Sequence, residues 1–183
     1  FQYEALADFC GKLGVADSTF AIKANACCNE MGMDIDFAAG TIAWAMECYE
    51  KGILKKSNID NLDLTWGNAE AIFELMRKIT CREGFGDILA EGSARAARKI
   101  GRGSEYYAMN IKGQELYEVL RSAIGWALGV TTSTRGGGHT TGAPALETTG
   151  AIDPVKAREL FRIDTFNQPL AYEGKAKLVD FFE

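Results

Sequence analysis

Asp17-Ser18-Thr19-Phe20-Ala21-Ile22-Lys23-Ala24-Asn25-Ala26-Cys27-Cys28-Asn29-Glu30-Met31-Gly32-Met33-Asp34-Ile35-Asp36 is the stretch that decides the fold class. Asp17-Ser18 is a helix-start signal, because a short oxygen-bearing side chain accepts a bond from one of the unpaired N–H groups of a first turn. Phe20, Ala24, Cys27 and Met31 then recur at helical spacing and share one face. Gly32 terminates that helix. Asp36 is placed to cap a second helix, in which Ala38, Ile42, Ala45 and Tyr49 align and which Gly52 ends.

The helical pattern continues nearly throughout the chain. Asn68 starts a helix carrying Ile72, Met76 and Ile79 that ends near Gly84. Another is predicted over about 86–100, with Ile88 and Leu89 inward and Arg95, Arg98 and Lys99 outward. Its basic end suits the negative pole of a helix C-terminus. Gly101-Arg102-Gly103-Ser104 breaks the pattern, and 106–111 reads as a short extended piece. A helix is predicted from Glu118 to about Val130, with Leu120, Ile124, Ala127 and Leu128 on its buried side. Asp153-Pro154 starts another, with proline at its favoured first position. Pro169 precedes a last helix that includes Tyr172, Ala176 and Val179. No β-hairpin signal or internal repeat is present. The expected fold class is all-α, in two helical subdomains over 1–108 and 109–183.

Composition narrows the function. Of the 183 residues, 47% are hydrophobic, enough for a core, and the net charge is −5. No basic run exists to neutralise phosphates, which excludes a nucleic-acid binder. No apolar stretch approaches the roughly 18 residues that span a membrane. The cysteines are Cys10, Cys27, Cys28, Cys48 and Cys81. Their odd count and the lack of a C-x-x-C pair argue against a disulfide framework and fit a reducing, cytoplasmic compartment. With one histidine and no clustered cysteines, a zinc site has too few ligands, and no metal ligand is assigned. Cys27-Cys28 reads as a buried helix pair in preference to a ligand pair.

Two segments carry chemistry. Arg135-Gly136-Gly137-Gly138-His139 holds the one histidine of the chain. Glycines let backbone approach a ligand, imidazole titrates near neutrality, and arginine adds a planar donor fork. The loop is either built against a ligand or is a surface loop with an incidental histidine. A phosphate cradle is disfavoured, since G-x-x-x-x-G-K-[ST] is absent and no strand precedes the glycines. The second segment is Asn29-Glu30-Met31-Gly32-Met33-Asp34. A carboxylate at such a helix corner can accept two parallel N–H bonds from a flat, guanidine-like edge, which pterins and guanines both offer. The plainer alternative is that Asp34 or Asp36 is an N-cap.

In order along the chain, these segments resemble the tungsten-containing aldehyde ferredoxin oxidoreductases. Asn29-Glu30-Met31-Gly32-Met33-Asp34 resembles the first pterin-binding motif of that family. Ile42-Ala43-Trp44-Ala45-Met46-Glu47, Lys51-Gly52 and Trp66-Gly67-Asn68 follow it. Then come Arg82-Glu83-Gly84, Gly86-Asp87, Leu89-Ala90-Glu91-Gly92, Lys112-Gly113 with Glu115, and Arg135-Gly136-Gly137 with His139. The resemblance covers essentially the whole chain.

The resemblance implies that two pterin dithiolenes hold one tungsten, that a 4Fe-4S cluster passes electrons to ferredoxin, and that aldehydes plus water become carboxylic acids. Asp34 and the backbone of Met33 would contact one pterin, with Asn29 at the first motif position, where the family often has an acid. His139 matches the active-site histidine. Tyr3-Glu4 resembles the family's Tyr-Glu pair, so Glu4 is the expected water-activating or proton-accepting carboxylate, a role that calls for a raised pKa. The small aldehyde substrate, the ferredoxin partner and a homodimeric parent are family expectations.

The cluster-ligand cysteine runs, the second pterin motif and the amino-terminal pterin cradle are not found in these 183 residues. The chain begins Phe1-Gln2-Tyr3-Glu4 and stops at Phe181-Phe182-Glu183 inside an apolar helical pattern. The expectation is a fragment, inactive alone. Asn110 stands where histidine is common, Gly138 stands where a larger side chain is common, and Thr140 to Pro144 departs from the usual follow-on. These departures put the substrate in question and make a tungsten-dependent aryl-CoA reductase the enzymatic alternative. A non-catalytic helical binding module is the other.

Overall fold

The computed structural model describes residues 2–116, 120–149 and 152–183. They fall into two compact units, Phe1–Glu115 and Leu116–Glu183.

In the first unit, α1 (Tyr3–Ala5) runs directly into a π-helical segment, Leu6–Lys12, which buries Phe9. Next, α2 (Ser18–Met31) starts under Asp17, whose carboxylate accepts the Thr19 N–H at 2.8 Å. It ends at Gly32, where φ is +67°. Its buried face is Phe20, Ala24 and Cys28. The expected Cys27–Met31 face is therefore corrected by part of a turn: Cys27 is half-buried and Met31 exposed. The cap of α3 (Ile35–Glu50) is also corrected, because Asp34, not Asp36, accepts the Phe37 N–H at 3.0 Å. Ile35, Ala38, Ile42, Trp44, Ala45, Met46 and Cys48 are all buried. A helix apolar on most sides belongs at the centre of a core, and both α1 and the π-helical segment pack against it.

Asn68 caps α4 (Ala69–Cys81) through the Ala71 N–H at 3.2 Å. The single helix expected over 86–100 is two, α5 (Phe85–Leu89) and α6 (Ser93–Ile100). The break lies at Gly92, whose φ of +81° no other residue type adopts readily. With glycine as its N-cap, α6 has no local capping side chain. Glu115 supplies the cap from 22 residues away. Its carboxyl group is buried, accepts the Ser93 N–H at 2.6 Å and the Ser93 hydroxyl at 2.7 Å, and accepts the Thr41 hydroxyl of α3 at 3.2 Å.

Glu115 is delivered by a hairpin that the sequence did not announce. The extended piece expected over 106–111 is instead a 3₁₀ turn, Ser104–Tyr107, followed by β1 (Asn110–Ile111), which pairs antiparallel with β2 (Gln114–Glu115). Lys112 and Gly113 both have positive φ, the turn geometry that matches the twist of a two-residue hairpin. The Trp44 indole N–H donates to the Ser104 carbonyl at 3.0 Å and fastens this segment to α3. The hairpin packs on α3 and α6, so the seam between the units falls after Glu115.

The second unit comprises α7 (Ile124–Thr132), α8 (Leu146–Thr149), α9 (Pro154–Phe161) and α10 (Lys175–Phe182). The part of the predicted α7 that rests on Glu118 lies outside the described residues. The described helix begins at Ile124, and its buried residues are Gly125, Gly129 and Val130 instead of Leu120, Ala127 and Leu128. Asp153 caps α9 through Val155 and Lys156, with Pro154 in the first turn as expected. Tyr172 precedes α10 instead of belonging to it. Ala157, Phe161, Ile163, Phe166 and Leu178 form the core of this unit, with the Phe161 and Phe166 rings stacked at 4.9 Å. Among the described residues, no helix is long and apolar enough to cross a membrane.

Removing the Glu115 carboxyl leaves three buried donors without a partner. Glu115→Ala is expected to lower unfolding free energy by about 2–3 kcal/mol, and Glu115→Gln by about 1 kcal/mol, since the amide retains one acceptor oxygen. Denaturant titration of both variants checks this, with the larger loss in the alanine variant.

Candidate functional site

A cavity of about 320 Å³ opens in the first unit where three features meet: the α2–α3 corner, the α5–α6 break and the hairpin. Met33, Phe37, Ala38, Ile79 and Leu89 supply its apolar surface, and Asp34, Thr41, Glu91, Arg95 and Glu115 its polar groups. Asp34 has two placements in the structure. One carboxylate oxygen caps α3, and the residue also lines the cavity.

Charges around the cavity are largely matched within the wall. Glu91 accepts from Arg82 at 2.8 Å and from Arg95 at 3.4 Å. The hydrogen bond from Arg82 and its charge hold the Glu91 carboxyl below the usual range. Arg82 also bonds Asp87 at 3.0 Å. Among the described residues, Glu115 has no cation as a hydrogen-bond partner and accepts from the Ser93 and Thr41 donors.

The expected site residues are distributed as follows. Met33 and Asp34 line the cavity. Asn29 is exposed on the last turn of α2, and Glu4 is exposed on α1; neither lines the cavity. His139 lies in the second unit, where Gly136, Gly137 and Gly138 are buried and the imidazole is exposed. Its ring stacks on Trp126 with centroids 5.2 Å apart and planes at 23°. The Arg135 fork is engaged inside the loop, donating to the Thr140 hydroxyl at 2.8 Å.

The cysteines are free thiols in the structure. Burial, aided by neighbouring charge, pushes Cys28 and Cys48 up to about 12. Such thiols stay protonated and serve as core volume. Among the described residues, no group of three or more His, Cys, Asp or Glu side chains is placed to hold a metal ion.

Two polar arrangements escaped the sequence reading. In the second unit, Glu147 and Lys175 form a fully buried ion pair at 2.7 Å. In the first, Asp8 on the π-helical segment pairs with Lys12 at 2.6 Å and neighbours Asp36. Asp8 Oδ2 is buried without a hydrogen-bond partner among the described residues. Burial, then the neighbouring Asp8 and the charge of Asp34, push Asp36 up to about 7, against the opposing charge of Lys12.

A carboxyl raised in the folded state contributes fully below its unfolded pKa of about 4 and loses that contribution as pH rises through about 7. The protein is expected to lose stability between these limits, and Asp36→Asn is expected to flatten that decline. Thermal unfolding of both proteins across this pH range checks it.

A family model described as "Aldehyde ferredoxin oxidoreductase, domains 2 & 3" matches residues 1–183. The chain is 42% identical over 141 residues to the tungsten-containing aldehyde ferredoxin oxidoreductase of Pyrococcus furiosus, an alignment covering 75% of this chain and 23% of that protein. It is 32% identical over 160 residues to the aliphatic sulfonate oxidoreductase, WOR-like subunit, of the same organism, covering 82% of this chain and 26% of that one. Among solved structures, the active site complex BamBC of benzoyl coenzyme A reductase, in complex with 1,5-dienoyl-CoA, matches with a TM-score of 0.66 and 33% identity. That match covers 74% of this chain and 21% of the other. The chain thus spans about a quarter of the length of the relatives it matches. Helical architecture and the match along all 183 residues agree: this chain belongs to the aldehyde ferredoxin oxidoreductase family, in the region of its domains 2 and 3.

Proposed function

We propose that this chain is the helical part of a tungstopterin oxidoreductase that converts small aldehydes to carboxylic acids and delivers electrons to ferredoxin. The stretches 1–108 and 109–183 would be its domain 2-like and domain 3-like parts. The observation that carries the reading is the placement of Met33 and Asp34 on a cavity of about 320 Å³. That volume suits a fused-ring head group, and the apolar surface beside carboxyl acceptors suits a flat ring with an N–H-rich edge. The α3 cap bond uses one Asp34 oxygen, so the carboxylate retains acceptor capacity at the other. The residues present therefore fit a pterin.

Bound tungstopterin would supply the two-electron oxidation, and a 4Fe-4S cluster ligated outside this chain would carry the electrons onward. The chain's own residues bind and move protons. Asp34 and the Met33 backbone hold one pterin, with the Asn29 amide at the motif's first position. Glu4 accepts a proton from water, and His139 hydrogen-bonds the substrate oxygen or relays a proton. We take the parent protein to be a cytoplasmic homodimer. The isolated chain would be inactive.

In the full-length protein, produced anaerobically with tungstate, Asp34→Ala is expected to lower the pterin retained per chain. Glu4→Gln and His139→Ala are expected to cut aldehyde turnover by roughly 10²–10⁴-fold with pterin content preserved. Parent-like turnover in both variants would contradict the reading and leave a helical interaction module. The likeness to the benzoyl coenzyme A reductase complex, together with the departures at Asn110 and Gly138, favours a second reading in which aryl-CoA thioesters are reduced. Assaying both substrate classes separates the two.

A further inference from the structure

We infer that Trp126 is the positioning residue for His139, and that the buried Glu147–Lys175 pair fixes Trp126. This rests on the catalytic reading of His139 above. The geometry lies wholly within the second unit. Ala123, the N-cap residue of α7, has no side chain able to cap. The Glu147 carboxylate takes that role from 21 residues away, accepting the Trp126 backbone N–H on Oε1 at 2.7 Å. Its other oxygen accepts from Lys175 Nζ at 2.7 Å, and Lys175 also donates to the Thr165 carbonyl at 3.0 Å.

Both charged side chains are essentially without solvent contact, at 0% and 1% exposure. A pair so desolvated tolerates little misalignment, because each group depends on the other and on its neighbours for compensation. Gly125 completes the arrangement. A Cβ built there would lie 2.8 and 2.9 Å from the two Glu147 oxygens, so only glycine lets the carboxylate reach the turn. The first turn of α7 is thereby pinned at Trp126, and its indole presents a face to the imidazole. Stacking at 5.2 Å and 23° restricts tilt of the His139 ring while leaving the residue exposed. A glycine-rich loop provides no such restriction by itself.

The test uses the full-length, cofactor-loaded protein. Trp126 emission is isolated as the difference between the parent and Trp126→Phe. Stacking puts the indole against the imidazole, so the difference signal is expected to change in His139→Gln. In turnover, Trp126→Leu is expected to lower kcat more than it raises KM, toward the roughly hundredfold loss that misplacing a catalytic group causes, and to distort the pH profile. Trp126→Phe, which keeps an aromatic face, is expected to restore most of both. Emission indifferent to His139→Gln, or a parent-like pH profile in Trp126→Leu, overturns the positioning role alone. Changed emission with turnover unchanged in His139→Gln overturns the catalytic reading of His139, and the positioning role with it.

Discussion

Glu115 binding the first turn of α6 is the interaction on which the first unit depends. One carboxyl group closes the start of a helix and ties it to Thr41 on the central helix α3. It also fixes the hairpin that carries it. The α5–α6 break and the hairpin both border the cavity, so the cavity exists because this acceptor gathers them against α3. Removing it leaves buried donors unpaired, which costs more than the bonds contribute net. The second unit repeats the device. Glu147 caps α7 where Ala123 offers no side-chain oxygen, with Lys175 compensating its charge. In each unit a helix beside a proposed functional element starts from a non-local carboxyl group.

That device explains what the sequence reveals and what it hides. Asp17, Asn68 and Asp153 are read correctly as caps because donor and acceptor lie within three residues. Gly32 is read as a terminator for the same local reason. Asp34 and Asp36 both resemble caps, and the structure selects Asp34, two residues after the turn at Gly32. Apolar periodicity assigns α2 its helix but misplaces its face, since alanine and cysteine are buried or exposed at similar cost. A helix drawn over 86–100 fails because the break at Gly92 is stabilised by Glu115, 23 positions later. The two-residue hairpin is too short for alternation to register. Neither Glu115 nor Glu147 differs in sequence from a solvated glutamate.

The motif proposed to hold the pterin is legible for a different reason. Asn29 to Asp34 combines a helix end, a positive-φ glycine and a helix start within six residues, and that geometry places Met33 and Asp34 at a cavity wall. His139 is equally conspicuous as the one histidine, but its support is not. Trp126 lies 13 residues away and the buried ion pair 8 and 36 residues away, so nothing near the glycine loop announces them. The acidic neighbourhood of Asp34 has its own consequence. Asp8, Asp34 and Asp36 crowd one corner with Lys12 as the cation facing Asp36, and a retained proton on Asp36 relieves the repulsion.

The central claim is that this fold carries one wall of a tungstopterin site. The most direct measurement is tungsten and pterin content of the full-length protein, purified anaerobically after growth with tungstate. The account predicts both in stoichiometric amounts. Absence of both, under conditions that load an established family member, would contradict it and leave the helical architecture without redox function.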